Sequence, residues 1–207
     1  YTKDMQQSFS SEDVNAINVW LPNVTSSVSN PTVWERYDLA AEYYRWKKQP
    51  AIFIGKLYLE AAWTVRDQAV GIHPNLNGPI VADEVLQQGE QELEKDLTSD
   101  QRKVVTYNLA RVAHRNARID VREKYIQQFL ADPAITSAEK QAANEFKQLT
   151  QVIEPIYLQK ALSEYLLHVQ QSPNDGQSLY IVGDLYRRLN NVETVSYTHL
   201  RAHETSE

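Results

Sequence analysis

The sequence of 207 residues contains no cysteine, so the protein forms no disulfide and no thiolate metal site. Glycine is scarce and scattered, at 6 positions, which leaves no glycine-rich phosphate loop and no Gly-x-Ser-x-Gly nucleophile turn. The histidines before residue 195, His73, His114 and His168, have no second ligand at helical spacing. We therefore expect neither an enzyme nor a cofactor.

Positive charge is also in short supply. The net charge is −6 and the isoelectric point is near 5.4, which argues against a nucleic-acid partner because phosphate backbones are held by an excess of Lys and Arg. No run approaches the roughly 18 apolar residues of a membrane span. The most apolar stretch, residues 51–63, is interrupted by Lys56 and Glu60. We expect a soluble protein of the cytoplasm without a membrane partner.

What the sequence does contain is helical periodicity. Thr98 with Gln101 and Thr136 with Glu139 form capping boxes, and Pro31 and Pro173 are predicted at first helical positions. No strand-like alternation is sustained, so the predicted fold is all-α, with short connections between antiparallel neighbours. The predicted helices are 11–20, 31–48, 51–70, 79–97, 100–117, 119–131, 137–149, 152–171 and 175–189, with a linker at 21–30 and a loop at 71–79.

Small residues recur at long intervals within these helices. Ala41 and Ala110 are 69 residues apart, and Ala110 and Gly183 are 73 apart, each near twice the 34-residue tetratricopeptide period. The segment Leu179–Asn190 resembles the first helix of a tetratricopeptide unit. We predict antiparallel helical hairpins stacked as a tetratricopeptide-like right-handed solenoid or bundle, with those small residues at the helix contacts.

Three segments carry a further resemblance, namely residues 37–41, 57–63 and 180–189. Their order is similar to a bacterial family, domain of unknown function 2225, over residues 31–194. That resemblance implies a bacterial origin and a helical part that follows a cysteine-containing region. The cysteine region is missing here, so metal binding is not carried over, and the family implies no activity.

Residues 195–205 are similar to the translation of a transposon adapter used in DNA sequencing libraries, without a mismatch at the nucleotide level. We expect residues 195–207 to be non-natural and the natural protein to continue beyond residue 194 as a longer chain. His199 and His203 then carry no metal site. The predicted organisation is an N-terminal segment and linker at 1–30, a helical domain at 31–194 and the adapter-derived tail.

The candidate binding residues are arginines. Arg111, Arg115, Arg118 and Arg122 follow at i, i+4, i+7 and i+11, which gives a basic stripe on a continuous helix or a basic edge at a helix turn. Arg187 and Arg188 form a second cluster. Guanidinium groups bind carboxylates in a bidentate manner, which predicts contact with an acidic partner. The alternative is internal pairing with neighbours such as Asp120 and Glu123.

The sequence thus predicts a protein- or peptide-binding helical scaffold without catalysis of its own. One alternative is the accessory helical half of a metal protein or enzyme whose N-terminal part is missing. Another is an oligomerisation module.

Overall fold

A computed structural model describes residues 30–72 and 86–190, together with residues 11, 12, 15 and 19, and only the backbone of residue 88. The residues outside the described set include nearly all of the linker 21–30 and of the loop 71–79, His73 and the tail 195–207. Of the predicted helix 11–20 only residues 11, 12, 15 and 19 are described, and these four are helical. Within the described ranges the protein is helical and contains no strand. None of the helices there has the length and apolar content to cross a lipid bilayer.

The helices follow one another closely along the chain. Their bounds are α1 Val33–Trp46, α2 Ala51–Gly71, α3 Leu86–Leu93, α4 Ser99–Arg115, α5 Ile119–Leu130, α6 Ser137–Gln148, α7 Glu154–Gln171 and α8 Gly176–Arg188. The predicted helices between residues 31 and 189 are therefore confirmed, except that the helix predicted at 79–97 is described only from Leu86 and ends at Leu93.

Side-chain caps explain several of the helix starts. Thr98 and Thr136 form the predicted capping boxes with Gln101 and Glu139. Thr32 forms a third one with Glu35. The predictions for Pro31 and Pro173 were wrong. Pro31 precedes Thr32, the N-cap of α1. Asp175 caps α8, and its side chain accepts a hydrogen bond from the backbone amide of Ser178. A carboxylate at the N-cap satisfies a free amide of the first turn, which proline two residues earlier cannot do.

No break separates α6 from α7. A π-helical turn, Leu149–Ile153, joins them into one continuous helical rod. Pro155 lacks an amide hydrogen, and in a regular α-helix its ring would press on the carbonyl of Gln151, inside that turn. The wider π-helical turn accommodates the proline without ending the helix.

The core is built around α2. This helix packs against α1 and, most extensively, against α7, which in turn packs against α8, while α4 packs against α3 and α5. Ala41, Ala110 and Gly183 are all buried, as predicted for small residues at helix contacts. At Gly55 a Cβ atom would lie 3.0 Å from Cδ2 of Tyr165, so this glycine permits the close approach of α2 to α7.

Candidate functional site: the arginine corner

The arginine stripe is interrupted by the turn between α4 and α5. The amide of Ala117 donates to the carbonyl of His114 at 3.0 Å, and the amide of Arg118 donates to the carbonyl of Ala113 at 2.8 Å. Ala117 adopts the left-handed conformation, with φ of 54°. This hydrogen-bond pattern ends α4 and reverses the chain within three residues. The arginines therefore form a basic edge at a helix turn, which is the second of the two predicted arrangements.

The four arginines of this edge have different surroundings. Arg115 and Arg118 are exposed. Arg111 is half-buried and ties α4 to the end of α2, because its Nε donates to the carbonyl of Val70 at 2.6 Å. Arg122 is buried and its Nη2 lies 2.6 Å from Oε1 of Glu123, so for this residue the structure shows the internal pairing.

The second cluster lies at the same place. Arg187, at the end of α8, donates from Nη1 to the carbonyl of Asn116 at 3.0 Å, within the α4–α5 turn. Arg188 lies beside Ala117 and lines a small cavity under the turn. Two clusters more than 60 residues apart in sequence thus meet in one surface. We call Arg115, Arg118, Arg187 and Arg188 the arginine corner.

Asp184 organises the α8 side of the arginine corner. Its Oδ1 accepts from Nη2 of Arg187 at 2.5 Å, and its Oδ2 accepts from Nε of Arg188 at 2.7 Å. Burial opposes ionisation of this carboxyl, but the hydrogen bonds from the two arginines lower its pKa below the usual value. One carboxylate is shared by two guanidinium groups, so it orders both without cancelling their combined charge.

Arg66 of α2 adds a further cation behind the corner. Burial is the main cause that lowers its pKa, and the charge of Arg188 lowers it further. Sequence reasoning missed Arg66 and Asp184 because neither belongs to a local cluster of like residues. The only signal in the sequence is the spacing of Asp184 at i−4 to Arg188.

A small polar cavity lies directly under the α4–α5 turn. It has a volume of about 20 Å³, enough for a water-sized molecule, and its polar lining is His114, Arg122, Thr150, Glu154 and Arg188. Nη1 of Arg122 lies 3.3 Å from Nδ1 of His114 and donates to the carbonyl of Thr150 at 3.2 Å. Nδ1 of His114 therefore faces a guanidinium donor.

Nε2 of His114 approaches Glu154 in the same cavity. It lies 2.8 Å from Oε2, within the distance of an ion pair, but the angles are not those of a hydrogen bond. Neither atom hydrogen-bonds to another protein atom, and both side chains are more than nine-tenths buried. Within residues 30–72 and 86–190, no group of three or more His, Asp or Glu is placed to hold a metal ion.

His168, the remaining described histidine of the sequence analysis, belongs to a helix cap rather than to this cavity. Its Nε2 lies 2.9 Å from Oδ2 of Asp175, the N-cap of α8.

No protein-family model, curated protein or solved structure matches the chain. The geometry of the arginine corner is therefore what indicates the function.

Proposed function

We propose that the protein is a helical scaffold of the tetratricopeptide-like kind that binds an acidic protein or peptide through the arginine corner, with no catalysis of its own. The observation that carries this proposal is the 3.0 Å hydrogen bond from Arg187 to the carbonyl of Asn116. This hydrogen bond places the end of α8 at the α4–α5 turn. Arginines that are distant in sequence therefore lie on one surface.

The chemistry of the corner suits a carboxylate-bearing segment. Arg115, Arg118 and Arg187 are exposed, and the planar guanidinium group matches the geometry of a carboxylate. Because Nη1 and Nη2 of Arg187 already donate to Asn116 and Asp184, this residue contributes mainly positive charge to the surface. Hydrogen bonds to Asp184 hold the side chains of Arg187 and Arg188, so these two side chains lose little freedom on binding. Specific recognition is favoured when charged donors are held in place before the partner arrives.

The repeat part of the proposal is supported by the buried small residues at positions 41, 110 and 183. In an extended solenoid each hairpin contacts mainly its neighbours in sequence. Here α2 has its most extensive contact with α7, from a distant hairpin. This contact favours a closed bundle of hairpins over an open superhelix as the form of the scaffold.

The test is charge reversal at the exposed part of the corner. The variant Arg115→Glu/Arg187→Glu is immobilised beside the wild type, and binding of a labelled glutamate-rich peptide is titrated at low salt. We expect the variant to lose at least about tenfold in affinity, because each charge-assisted contact contributes roughly 1.5 kcal/mol or more. Retention of proteins from a bacterial extract is then compared between the two.

Lys56→Glu provides the matched control, since Lys56 is an exposed cation of α2 outside the corner. It changes the net charge in the same direction and should bind the peptide within about twofold of wild type. Equal losses in Lys56→Glu and in the corner variant, normalised per charge, would mean that the peptide senses only the overall charge. That result would contradict the proposal.

A further inference from the structure

From Gln148 at the end of α6 to Gln171 at the end of α7, no charged residue is among the exposed residues of the rod, whereas the earlier part of α6 exposes Lys140 and Glu145. The exposed residues of the rod between positions 148 and 171 are Gln148, Val152, Ile156, Gln159, Ser163, Leu167, Gln170 and Gln171. We call this set the neutral stripe. Charged residues make up 23% of the protein. A run of eight exposed residues that includes no charged residue therefore differs from the rest of the surface.

The other helices in the described ranges each expose at least one charged side chain. Examples in chain order are Arg36, Lys56, Glu90, Arg102, Lys124, Lys140 and Arg187. Surfaces that face water usually intersperse charges, whereas depletion of charge is typical of the centre of a protein interface. The neutral stripe therefore has the composition of a contact surface.

The charged side chains of α7 are directed at the protein's own helices. Lys160 pairs with Asp38 at 2.5 Å, although 38% of its side chain stays exposed, and Glu164 pairs with Arg45 at 2.6 Å, both across to α1. Glu154 is buried. The stripe that remains is uncharged and includes three apolar side chains, since Val152, Ile156 and Leu167 are 46%, 50% and 48% exposed.

Two copies of the neutral stripe can be paired antiparallel in a symmetric register. When two copies of the rod lie antiparallel with a two-fold axis between positions 159 and 160, Val152 of one copy faces Leu167 of the other. In the same register Gln148 faces Gln171, and Ile156 faces Ser163. A two-fold interface requires a self-complementary patch. In this register Val152 and Leu167 place apolar groups opposite each other, the glutamines at the two ends pair, and Ile156 meets the small side chain of Ser163.

We propose that the neutral stripe is a homodimer interface, in which two copies of this chain pair their rods antiparallel about position 159. The net charge of −6 makes two copies repel each other over most orientations, and a charge-free strip minimises that repulsion. The interface is separate from the arginine corner and does not depend on the proposed function.

The dimensions of the stripe set the strength of the dimer. From residue 148 to residue 171 a helix extends about 35 Å. A single pair of helices of that length buries less than a standard interface of about 1,600 Å², so the dimer is weak, with a Kd between about 1 µM and about 1 mM.

The first experiment measures mass against concentration by sedimentation equilibrium. The weight-average mass of the wild type should rise from 23.8 kDa toward twice that value as concentration increases. Ile156→Glu places like charges in both copies and should raise the Kd at least about tenfold. Tyr180→Glu is the control, because Tyr180 is an exposed apolar residue of α8, at 62%, outside the stripe.

The second experiment tests the register and uses the absence of cysteine in the chain. Gln159→Cys places a thiol beside the axis, where it meets its own copy, so oxidation should yield a covalent dimer. Gln170→Cys lies on the same stripe, about 16 Å along the helix from the axis, so its two copies are too far apart to bridge.

Both experiments are read together with far-ultraviolet circular dichroism, which confirms that each variant is folded. A wild type that stays at monomer mass up to millimolar concentration would overturn the proposal. So would a dimer that Ile156→Glu leaves intact, or equal crosslinking by Gln159→Cys and Gln170→Cys.

Discussion

At the residue scale, the cap of α8 shows how a few polar atoms set the response to acid. Asp175 accepts from the hydroxyl of Ser178 at 2.7 Å and lies 2.9 Å from Nε2 of His168. These two contacts are the main reason why the pKa of Asp175 falls from 3.8 to about 2. The ionised carboxylate is thus stabilised by folding, and its protonation weakens the folded state.

We therefore predict an acid-dependent loss of stability at this cap. The depressed pKa contributes stability that is complete above about pH 4 and is lost as the pH falls toward 2, the value of the folded state. The contribution is about 1 kcal/mol once solvent screening is taken into account. Urea unfolding at several pH values between 5 and 2 should show a steeper decline for the wild type than for Asp175→Asn. Parallel curves for the two proteins would contradict the assignment.

At the scale of the element, the end of α4 depends on a residue that is poorly suited to its conformation. Ala117 has a positive φ of 54°, where a Cβ atom is crowded and glycine is not. The strain persists because the two hydrogen bonds of the turn and the contact with Arg187 hold the backbone there. The α4–α5 turn is therefore a place where stability can be gained without changing the arginine corner.

We predict that Ala117→Gly stabilises the protein. Relief of the left-handed strain, about 1–2 kcal/mol, is partly offset by the greater freedom of glycine in the unfolded chain, which leaves a gain of about 0.5–1 kcal/mol. The measurement is the free energy of unfolding from urea titration. Ala110→Gly, in the buried middle of α4, is the control and should lose about 1 kcal/mol or more. Destabilisation by Ala117→Gly would show that no strain is stored at this turn.

The helix ends also show which structural features could be predicted from the sequence and which could not. The boxes at Thr98 and Thr136 involve residues three apart, so their local pattern was sufficient. Asn190 has a positive φ of 59°, a conformation in which asparagine is more common than most residue types. Ala117 and Lys48 adopt the same conformation, yet neither residue type signals it. At these two positions the surrounding helices impose the conformation, and that information is not local.

At the scale of the whole molecule, the contact between α2 and α7 connects the two ends of the described chain. It depends on Gly55, where an added Cβ would also lie 3.3 Å from Cβ of Glu164. The arginine corner is likewise a product of long-range packing, since it forms only when α8 reaches the α4–α5 turn. Sequence patterns located the arginines but could not predict this meeting, because no local spacing encodes a contact across 71 residues.

We predict that Gly55→Val destabilises the entire protein rather than one hairpin. The larger side chain must displace the buried ring of Tyr165, at a cost of about 2–3 kcal/mol. Because α2 contacts both neighbouring and distant helices, unfolding should remain a single transition with a lower midpoint. The measurement is denaturant unfolding monitored by both tryptophan fluorescence and circular dichroism.

Gly71→Ala is the control at the end of the same helix, where a Cβ meets nothing within 4 Å, and it should leave the midpoint unchanged or slightly raised. Two separate transitions in Gly55→Val would instead indicate hairpins that unfold independently, as in an open repeat array.

The π-helical turn at Leu149–Ile153 fixes the rotational phase between the two halves of the rod. Such a turn contains one residue more than the α-helix around it and rotates less per residue than the roughly 100° of an α-helix, so the faces of α6 and α7 stay aligned across it. Deletion of a single residue here would therefore close the turn into a regular α-helix and leave the neutral stripe unbroken. The same deletion inside α7 would rotate the part of the helix beyond it by about 100° and divide the stripe into two faces.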